Sequence, residues 1–382
     1  MPRASAAARR LKIAVYAICL NEAAFVRRFM ESTAGADLVS IADTGSTDGT
    51  PERFAELGAV VHHIRIDPWR FDDARNAALA LVPADVDVCV SLDLDTILHP
   101  GWRQTIERAW WGEVNQLNYT EIWARTPTGN PRQFLDNRIH ARRGFRWNGP
   151  CHEYVVPSGV EVRAATAVDL VMEQLHDPDK SRGQYLPMLE MAARERPHER
   201  RHAHYLGREY SFHGRAQEAV AQFERYLDFQ PPRYDAERSI TVRLLAECER
   251  TLGRHERSIA LFRQAVDENP ALRGAWTDLA FAHYQAEAWS ACYDAARQAV
   301  ARPDGVNEYG EESWCGVLPE DLAAICGWRL GHFQDALRYG RMALALAPDV
   351  ERIRLNVEKM ETTLGPAAGA GGGLTIAGVT AK

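Results

Sequence analysis

Two stretches decide the fold: ADLVSIADTGSTDGT, residues 36–50, and VDVCVSLDLD, residues 86–95. Each is a short apolar run that ends in aspartate, and the first continues into a turn rich in Gly, Ser and Thr. Short apolar runs bounded by turn residues predict strands. Ligands of open α/β sheets collect beyond the carboxyl ends of the strands. The two stretches therefore predict an acidic ligand site at one edge of a sheet.

The surrounding sequence repeats this pattern. From Lys12 to about Thr166, strand-like runs such as KIAVYAICL and AVVHHIRI alternate with helical stretches such as NEAAFVRRFMES and DDARNAALAL. Such alternation predicts β-α-β units and a mostly parallel sheet. After Asp95 the longer, polar-alternating segments Glu113–Arg125 and Arg138–Val156 predict antiparallel strands added to the same sheet, which makes it a mixed sheet.

From about Gly183 the strand signals stop and a helical repeat with a period of about 33 to 45 residues begins. The first unit has the spacing of a tetratricopeptide repeat, with Leu206, Gly207, Tyr210, Ala219, Phe223 and Pro231. Further phased units predict an all-α solenoid with a concave face. The predicted domains are a flexible basic N-terminus at 1–10, an α/β domain at 11–182, the repeats at 183–362 and a flexible Gly-rich tail at 363–382.

Composition narrows the class of protein. An apolar fraction of 46%, a charged fraction of 25% and a net charge of −7 are those of a globular protein with no general attraction for nucleic acid. No run of about eighteen apolar residues predicts a transmembrane segment. The seven cysteines show no Cys-x-x-Cys spacing, which favours buried thiols in a reducing compartment. We therefore expect a cytoplasmic protein.

One local basic cluster stands apart from the acidic balance of the whole chain. It consists of Arg138, Arg142, Arg143 and Arg146. These arginines could form a solvated face, line a phosphate pocket or line a nucleic-acid groove, and the first two interpretations are favoured over the third.

Asp93 and Asp95 are the strongest candidates for chemistry. Residues two apart at the end of a strand point the same way, so both carboxylates can face one site. A few carboxylates that leave coordination positions open for phosphate oxygens suit Mg²⁺ or Mn²⁺ beside a diphosphate. The alternative is that these aspartates only cap turns or helices.

The first acidic turn and its neighbours supply further candidates. Gly45 allows a tight turn, and Ser46 and Asp48 can cap the following helix, which leaves Asp43 for contact with a base or ribose. Asn21 and Glu22 could bind ligand or cap the helix expected near Ala23.

Arg75 lies in FDDARNAAL, where a crossover helix is predicted. An arginine there could pair with a diphosphate, or it could form a surface ion pair with Asp72 or Asp73.

The segments NEAAFVRRF, ADTGSTDGT, FDDARNAAL, SLDLD and WNGPCHEYV, followed by tetratricopeptide units, resemble a family 2 glycosyltransferase of GT-A fold. The resemblance implies an inverting, metal-dependent transferase that uses a nucleotide sugar, most often a UDP-sugar. It assigns Asp43 to the nucleoside, Arg75 to the donor site, and Asp93 and Asp95 to the metal and diphosphate.

The resemblance also points to two histidines and to a catalytic base. His176 resembles the position of a further metal ligand, and His152-Glu153 resembles a His-Glu pair of members that carry such repeats. An inverting transfer needs a base to accept the acceptor's proton. The candidates are Asp136, Glu153 and His152.

The acceptor and the activity itself leave alternatives open. Tetratricopeptide arrays favour a protein or peptide acceptor, while a saccharide or a lipid-linked glycan is also compatible. Thr44 and Thr96 stand where many members have a further aspartate or glutamate. The alternative is therefore a non-catalytic scaffold with a degenerate transferase domain.

Overall fold

The computed structural model describes residues 10–125, 131–175, 183–230, 236–302 and 316–365. The chain divides into two compact units between Pro197 and His198. The first unit contains strands and helices, and its last helix is α5 (Tyr185–Glu195). The second unit is helical throughout its described part. The domain border predicted at 182/183 therefore differs from this division by one helix, α5, which lies in the first unit.

The first unit begins with the predicted alternation of strands and helices. Its elements are β1 (Ile13–Cys19), α1 (Val26–Ser32), β2 (Leu38–Asp43), α2 (Thr50–Glu56), β3 (Val60–His63), α3 (Phe71–Leu81), β4 (Val88–Ser91), β5 (Thr96–Leu98), α4 (Trp102–Ala109), β6 (Gln116–Arg125), β7 (Pro131–Ala141), β8 (Phe145–Asn148), β9 (Tyr154–Pro157) and β10 (Ala164–Gln174). The strands and helices expected up to Asp93 are all present.

Eight of these strands form one mixed sheet in the order β3-β2-β1-β4-β7-β6-β10-β5. Strands β1 to β4 are parallel to one another, and β7 joins β4 in the antiparallel direction. This confirms the predicted mixed sheet of the α/β class. Since β1 to β4 run parallel, their carboxyl ends lie at one edge.

The core lies on both faces of this sheet. Ile13 and Val15 of β1 pack with Phe29 of α1 on one face, while Ala14 and Tyr16 pack with α3 on the other. Both faces of β1 are fully buried over most of its length, as its continuous apolar sequence requires. Burial on both faces thus fixes the position of the central strands and of their carboxyl ends.

One expectation about the later strands is wrong. Residues 138–156 do not all add to the large sheet, because β7 ends at Ala141 and β8 pairs with β9 in a separate two-stranded sheet. The later strand β10 joins β6 in the parallel direction. The strand propensity of the sequence does not specify which edge a strand pairs with, so this difference arises in the tertiary structure.

The second unit consists of antiparallel helix pairs, which confirms the predicted tetratricopeptide-type region. The helices are α6 (Arg200–Phe212), α7 (Ala216–Asp228), α8 (Ala236–Thr251), α9 (His255–Glu268), α10 (Arg273–Gln285), α11 (Trp289–Val300), α12 (Leu318–Arg329), α13 (Phe333–Leu346) and α14 (Glu351–Leu364). Close packing within pairs explains the small residues of the repeat. A β-carbon at Gly207 of α6, for example, would lie 2.6 Å from the ring of Phe223 in α7.

Four turns within the described helix pairs share one backbone design. Each turn has three residues, and its second residue, Gly214, Gly253, Glu287 or Gly331, has a positive φ between 54° and 82°. The next amide donates to the carbonyl five residues earlier, as in a Schellman motif. Glycine adopts this left-handed conformation without the steric cost that other residues carry. Glu287 is therefore the strained member of the set.

Replacing Glu287 with glycine should stabilise the protein. Glu287 is exposed and has φ 54°, and the left-handed conformation costs a side-chain-bearing residue about 1–2 kcal/mol. Because glycine loses more backbone entropy on folding, we expect a net gain of up to about 1 kcal/mol. Urea unfolding measures the change. The matched substitution Gly253→Ala should lower the free energy of unfolding, and a destabilised Glu287→Gly variant would contradict this account of the turn.

Candidate active site

The carboxyl edge of β1 to β4 brings the predicted residues together. Asp43 and His63 are the last residues of β2 and β3, while Asn21 and Asp93 each follow a strand by two residues. The Nδ1 atom of His63 lies 3.2 Å from a carboxylate oxygen of Asp43. This edge is the place where α/β sheets bind ligands.

The loops after β1 and β2 are bound to each other. The amide of Asn21 donates to the hydroxyl of Ser46 over 2.9 Å, and the amide of Thr47 donates to the side-chain oxygen of Asn21 over 2.7 Å. Asp48 accepts a bond from the amide of Ala23 over 3.0 Å. Since α1 begins only at Val26, Asn21 does not cap it. These hydrogen bonds join the two loops, residues 20–25 and 44–49, into one structure that we call the Asp43 wall.

Asp43 is buried inside this wall and is held as a carboxylate. It accepts hydrogen bonds from the amides of Gly45 and Ser46 at 3.1–3.3 Å. Burial alone would raise the pKa of Asp43, but the bonds from Ser46, His63 and Gly45 hold the pKa below its ordinary value. Gly45, with φ 117°, provides the turn that aims these amides at the carboxylate.

Arg75 is the buried centre of the site. Its guanidinium donates to Glu153 over 2.6 Å, to Asp93 over 2.5 Å and to the hydroxyl of Ser91 over 3.3 Å. Burial by itself would lower the pKa of Arg75, but the charges of Asp93 and Glu153 raise it. The alternative that Arg75 forms a surface pair with Asp72 or Asp73 is wrong, because Arg70 makes those pairs.

A second arginine completes the arrangement. Arg138 of β7 donates to Asp93 and to Asp136, both over 2.9 Å. Asp93 thus lies between two guanidinium groups, and Asp136 contacts one of them, that of Arg138. The sequence identified Arg138 only as a member of a basic cluster, because its contact with Asp93 arises where β7 pairs with β4.

Glu121 is a site residue that sequence reasoning missed. Tyr119 of β6 pairs with Asp136 of β7, and Glu121 follows two residues later, so the three side chains share one face. Burial raises the pKa of Glu121 well above its ordinary value, and the charges of Asp136 and Asp93 add to this effect against the opposing charge of Arg138. The raised pKa makes Glu121 a candidate proton acceptor of the site.

Asp95 is buried beside β10. Its carboxylate accepts a bond from the side-chain amide of Gln174 over 3.2 Å, and its carbonyl accepts the amide of Leu175. His176, the expected further metal ligand, lies outside the described residues. In the parts of the chain that the structure describes, no group of three or more His, Cys, Asp or Glu side chains converges on a metal position.

The guanidinium of Arg75 packs on Trp147, which begins a chain of buried hydrogen bonds. The guanidinium carbon lies 4.7 Å from the centre of the Trp147 ring. The indole of Trp147 donates to the hydroxyl of Tyr16 over 2.7 Å, and this hydroxyl lies 3.0 Å from Nε2 of His140. Because burial lowers the pKa of His140 to about 4, its imidazole is neutral near pH 7. Nδ1 then donates to the carbonyl of Ala141, which leaves Nε2 to accept from Tyr16.

The fold and the site define an α/β domain with an acidic edge where ligands of such sheets bind. Residues 15–147 match the model of the glycosyl transferase family 2, and this part of the chain is a family 2 glycosyltransferase domain. All the residues of the Asp43 wall and of the Arg75 and Arg138 network, except Glu153, lie inside the matched range.

A curated relative and several solved structures are similar to parts of the chain. The lipopolysaccharide core biosynthesis glycosyltransferase LpsC of Rhizobium meliloti is 28% identical over 163 residues, which are 39% of this chain and 59% of that protein. The crystal structure of MamA covers 42% of this chain and 85% of its own, at 11% identity and a TM-score of 0.35. YrrB, a tetratricopeptide protein with an unusual peptide-binding site, covers 46% and 82%, at 11% identity and a TM-score of 0.37.

The neutral state of His140 makes stability depend on pH. Between the ordinary pKa of 6.5 and the folded value of about 4, only the unfolded chain binds the proton. The free energy of unfolding should therefore fall as the pH falls through this window, by up to about 3 kcal/mol.

The variant His140→Gln should flatten this pH dependence, as measured by urea unfolding at several pH values between 7 and 4. The variant His62→Gln is the control, because His62 is only half-buried on β3 and should leave the slope unchanged. Equal slopes in the wild type and in His140→Gln would disprove the role of this histidine.

Proposed function

We propose that this protein is an inverting glycosyltransferase that moves a sugar from a nucleotide-sugar donor, in the first place a UDP-sugar, to an acceptor hydroxyl. The observation that carries the proposal is the Asp43 wall beside the Asp93 carboxylate held between Arg75 and Arg138. The guanidinium groups of Arg75 and Arg138 suit the diphosphate of such a donor. Asp43 itself is buried, so it is proposed to act on the nucleoside by holding the turn of Gly45 and Ser46, from whose amides it accepts hydrogen bonds.

A divalent cation of the Mg²⁺ or Mn²⁺ type fits the donor set. Around Arg75 and Arg138 the carboxyl groups outnumber the cations. Burial raises the pKa of Glu121, and the neighbouring carboxylates add to this effect. Hard cations prefer such oxygen ligands. Both oxygens of Asp93 accept bonds from arginines, which makes Asp95 the principal proposed ligand and Asp93 its partner. The cation would neutralise negative charge on the leaving diphosphate.

In the transfer itself, the acceptor hydroxyl oxygen forms a bond to the anomeric carbon, and the bond from that carbon to the diphosphate oxygen breaks. The hydroxyl proton must pass to a base. Of the predicted bases, Asp136 accepts from Arg138 and Glu153 accepts from Arg75. These bonds already engage a carboxylate oxygen of each of the two residues. We therefore assign the proton to Glu121, with Asp136 and His152 as the competing candidates.

Donor cleavage tests the proposed function. The purified protein is incubated with UDP-, GDP- and dTDP-sugars and Mn²⁺, and free nucleoside diphosphate is measured by mass spectrometry, with donor affinity measured by calorimetry. We expect one donor to be bound and cleaved, and Asp95→Ala to lose at least about a hundredfold in turnover, since it removes the proposed metal ligand.

The variant Asp169→Ala is the matched control. Asp169 of β10 is an exposed aspartate paired with Arg108, so its removal should leave turnover unchanged. If no donor binds to the wild type with or without metal, the scaffold alternative replaces the transferase. Full turnover of Asp95→Ala at saturating metal would remove the metal role only.

The base assignment predicts a pH profile. Because Glu121 must be deprotonated to accept a proton and its pKa is raised well above the ordinary value, kcat/KM should rise with pH through that raised value. Glu121→Gln should lose about 10²–10⁴-fold in kcat and lose the rise, while donor affinity stays within about twofold. Asp136→Asn is measured alongside. A profile that is unchanged in Glu121→Gln but lost in Asp136→Asn would move the assignment to Asp136.

The remaining proposals concern the binding partner of the helical unit and the location of the protein in the cell. The helical unit is proposed to bind a protein or peptide, because stacked helix pairs of the tetratricopeptide type form extended surfaces that suit peptide segments. A cytoplasmic location is proposed as well. Within the described residues, no helix is long and apolar enough to cross a membrane.

A further inference from the structure

Four aromatic side chains form a group beside the Arg75 network. Trp69 and Phe71 have ring centres 5.3 Å apart, Phe71 and Tyr185 are 6.3 Å apart, and Tyr185 and His152 are 5.8 Å apart. They come from the segment before α3, from α3 itself, from α5 and from the turn between β8 and β9. We call Trp69, Phe71, His152 and Tyr185 the aromatic group.

The aromatic group is not part of the cores that flank the large sheet. None of its members belongs to either of these two cores, and each of the four side chains is half-buried. The indole nitrogen of Trp69 is buried and has no hydrogen-bond partner among the described residues. Half-buried aromatic rings and a buried polar atom without a partner therefore occur together, as in ligand sites.

The aromatic group borders directly on the proposed reaction centre. Phe71 begins α3 and Arg75 follows four residues later on the same helical face. His152 precedes Glu153, which accepts the 2.6 Å bond from Arg75. The amide of Phe71 also donates to the carbonyl of Pro150, which joins the two segments.

The surroundings hold the aromatic group in place. Asp72 accepts bonds over 3.1 Å from the amide of Gly149 and from the guanidinium of Arg70. Arg70 also donates to Glu195 at the end of α5 over 2.6 Å. His152 is kept at φ 51°, a conformation that residues other than glycine adopt mainly where the structure imposes it. These contacts fix the positions of the segments that carry the aromatic group.

We propose that the aromatic group is the acceptor subsite and that it takes a pyranose ring of a saccharide acceptor. The C–H face of a pyranose is weakly positive and suits the negative face of an aromatic ring. The carboxylate of Glu153, next to His152 in the chain, suits a hydroxyl group of the same sugar. The assignment rests on the proposed transferase function, and it favours a saccharide over a peptide as the part of the acceptor that reaches the site.

Binding to an array of defined oligosaccharides, measured with the full-length protein, tests the inference without relying on turnover. We expect the wild type to bind at least one pyranose-containing oligosaccharide, and Tyr185→Ala to weaken that binding roughly tenfold. Tyr185→Phe keeps the ring and should retain the binding. Trp111→Ala removes an aromatic side chain that is 69% exposed elsewhere in the same unit and should change nothing.

The affinity for the nucleotide sugar is measured on the same samples and separates this inference from the proposed function. Donor binding without any saccharide binding would overturn the acceptor subsite and leave the transferase intact. Loss of saccharide binding in Trp111→Ala as strong as that in Tyr185→Ala would also overturn it. Binding of a peptide array that depends on Tyr185 would replace the saccharide with a peptide. Absence of both donor and saccharide binding would overturn the proposed function as well.

Discussion

The guanidinium of Arg75 is buried between Glu153, Ser91 and Asp93, and the candidate site depends on it. A buried cation is stable only where carboxylates and hydrogen-bond acceptors compensate for its lost hydration. Because of that requirement, the start of α3, the end of β4 and the turn after β8 all meet at the guanidinium of Arg75. The Trp147–Tyr16–His140 chain beneath it explains why a neutral histidine belongs in this part of the core.

The surplus of carboxylates around two arginines gives the site its chemical character. Asp93 and Glu153 are compensated by guanidinium groups, whereas the environment of Glu121 raises its pKa. Such unequal environments give the carboxylates different roles: those paired with arginine stay charged, and one with a raised pKa can accept a proton. The same surplus suits the divalent cation proposed above, whose charge would offset that of the carboxylates.

The two units show different kinds of regularity. In the first, parallel strands place unrelated side chains at one edge, so the site combines residues that are far apart in the sequence. In the second unit, four described helix pairs share the same three-residue turn, in which one residue is left-handed. Each pair is therefore formed by residues that are close in the sequence. Glu287 shows that tertiary packing tolerates local strain in one of these turns.

The sequence by itself determined the alternation of strands and helices up to Asp93, the class of fold and the places of Asp43, Asp93 and Asp95 after strands, because apolar periodicity and turn chemistry are local properties. It could not determine which strands pair. The separate β8–β9 sheet, the place of Arg138 next to Asp93, and the exposure of Glu121 to the charges of Asp93 and Asp136 all arise from pairing between distant segments. Long-range pairing is set by the packing of the whole sheet, and the pKa of a carboxyl is set by the burial and charges that this packing creates.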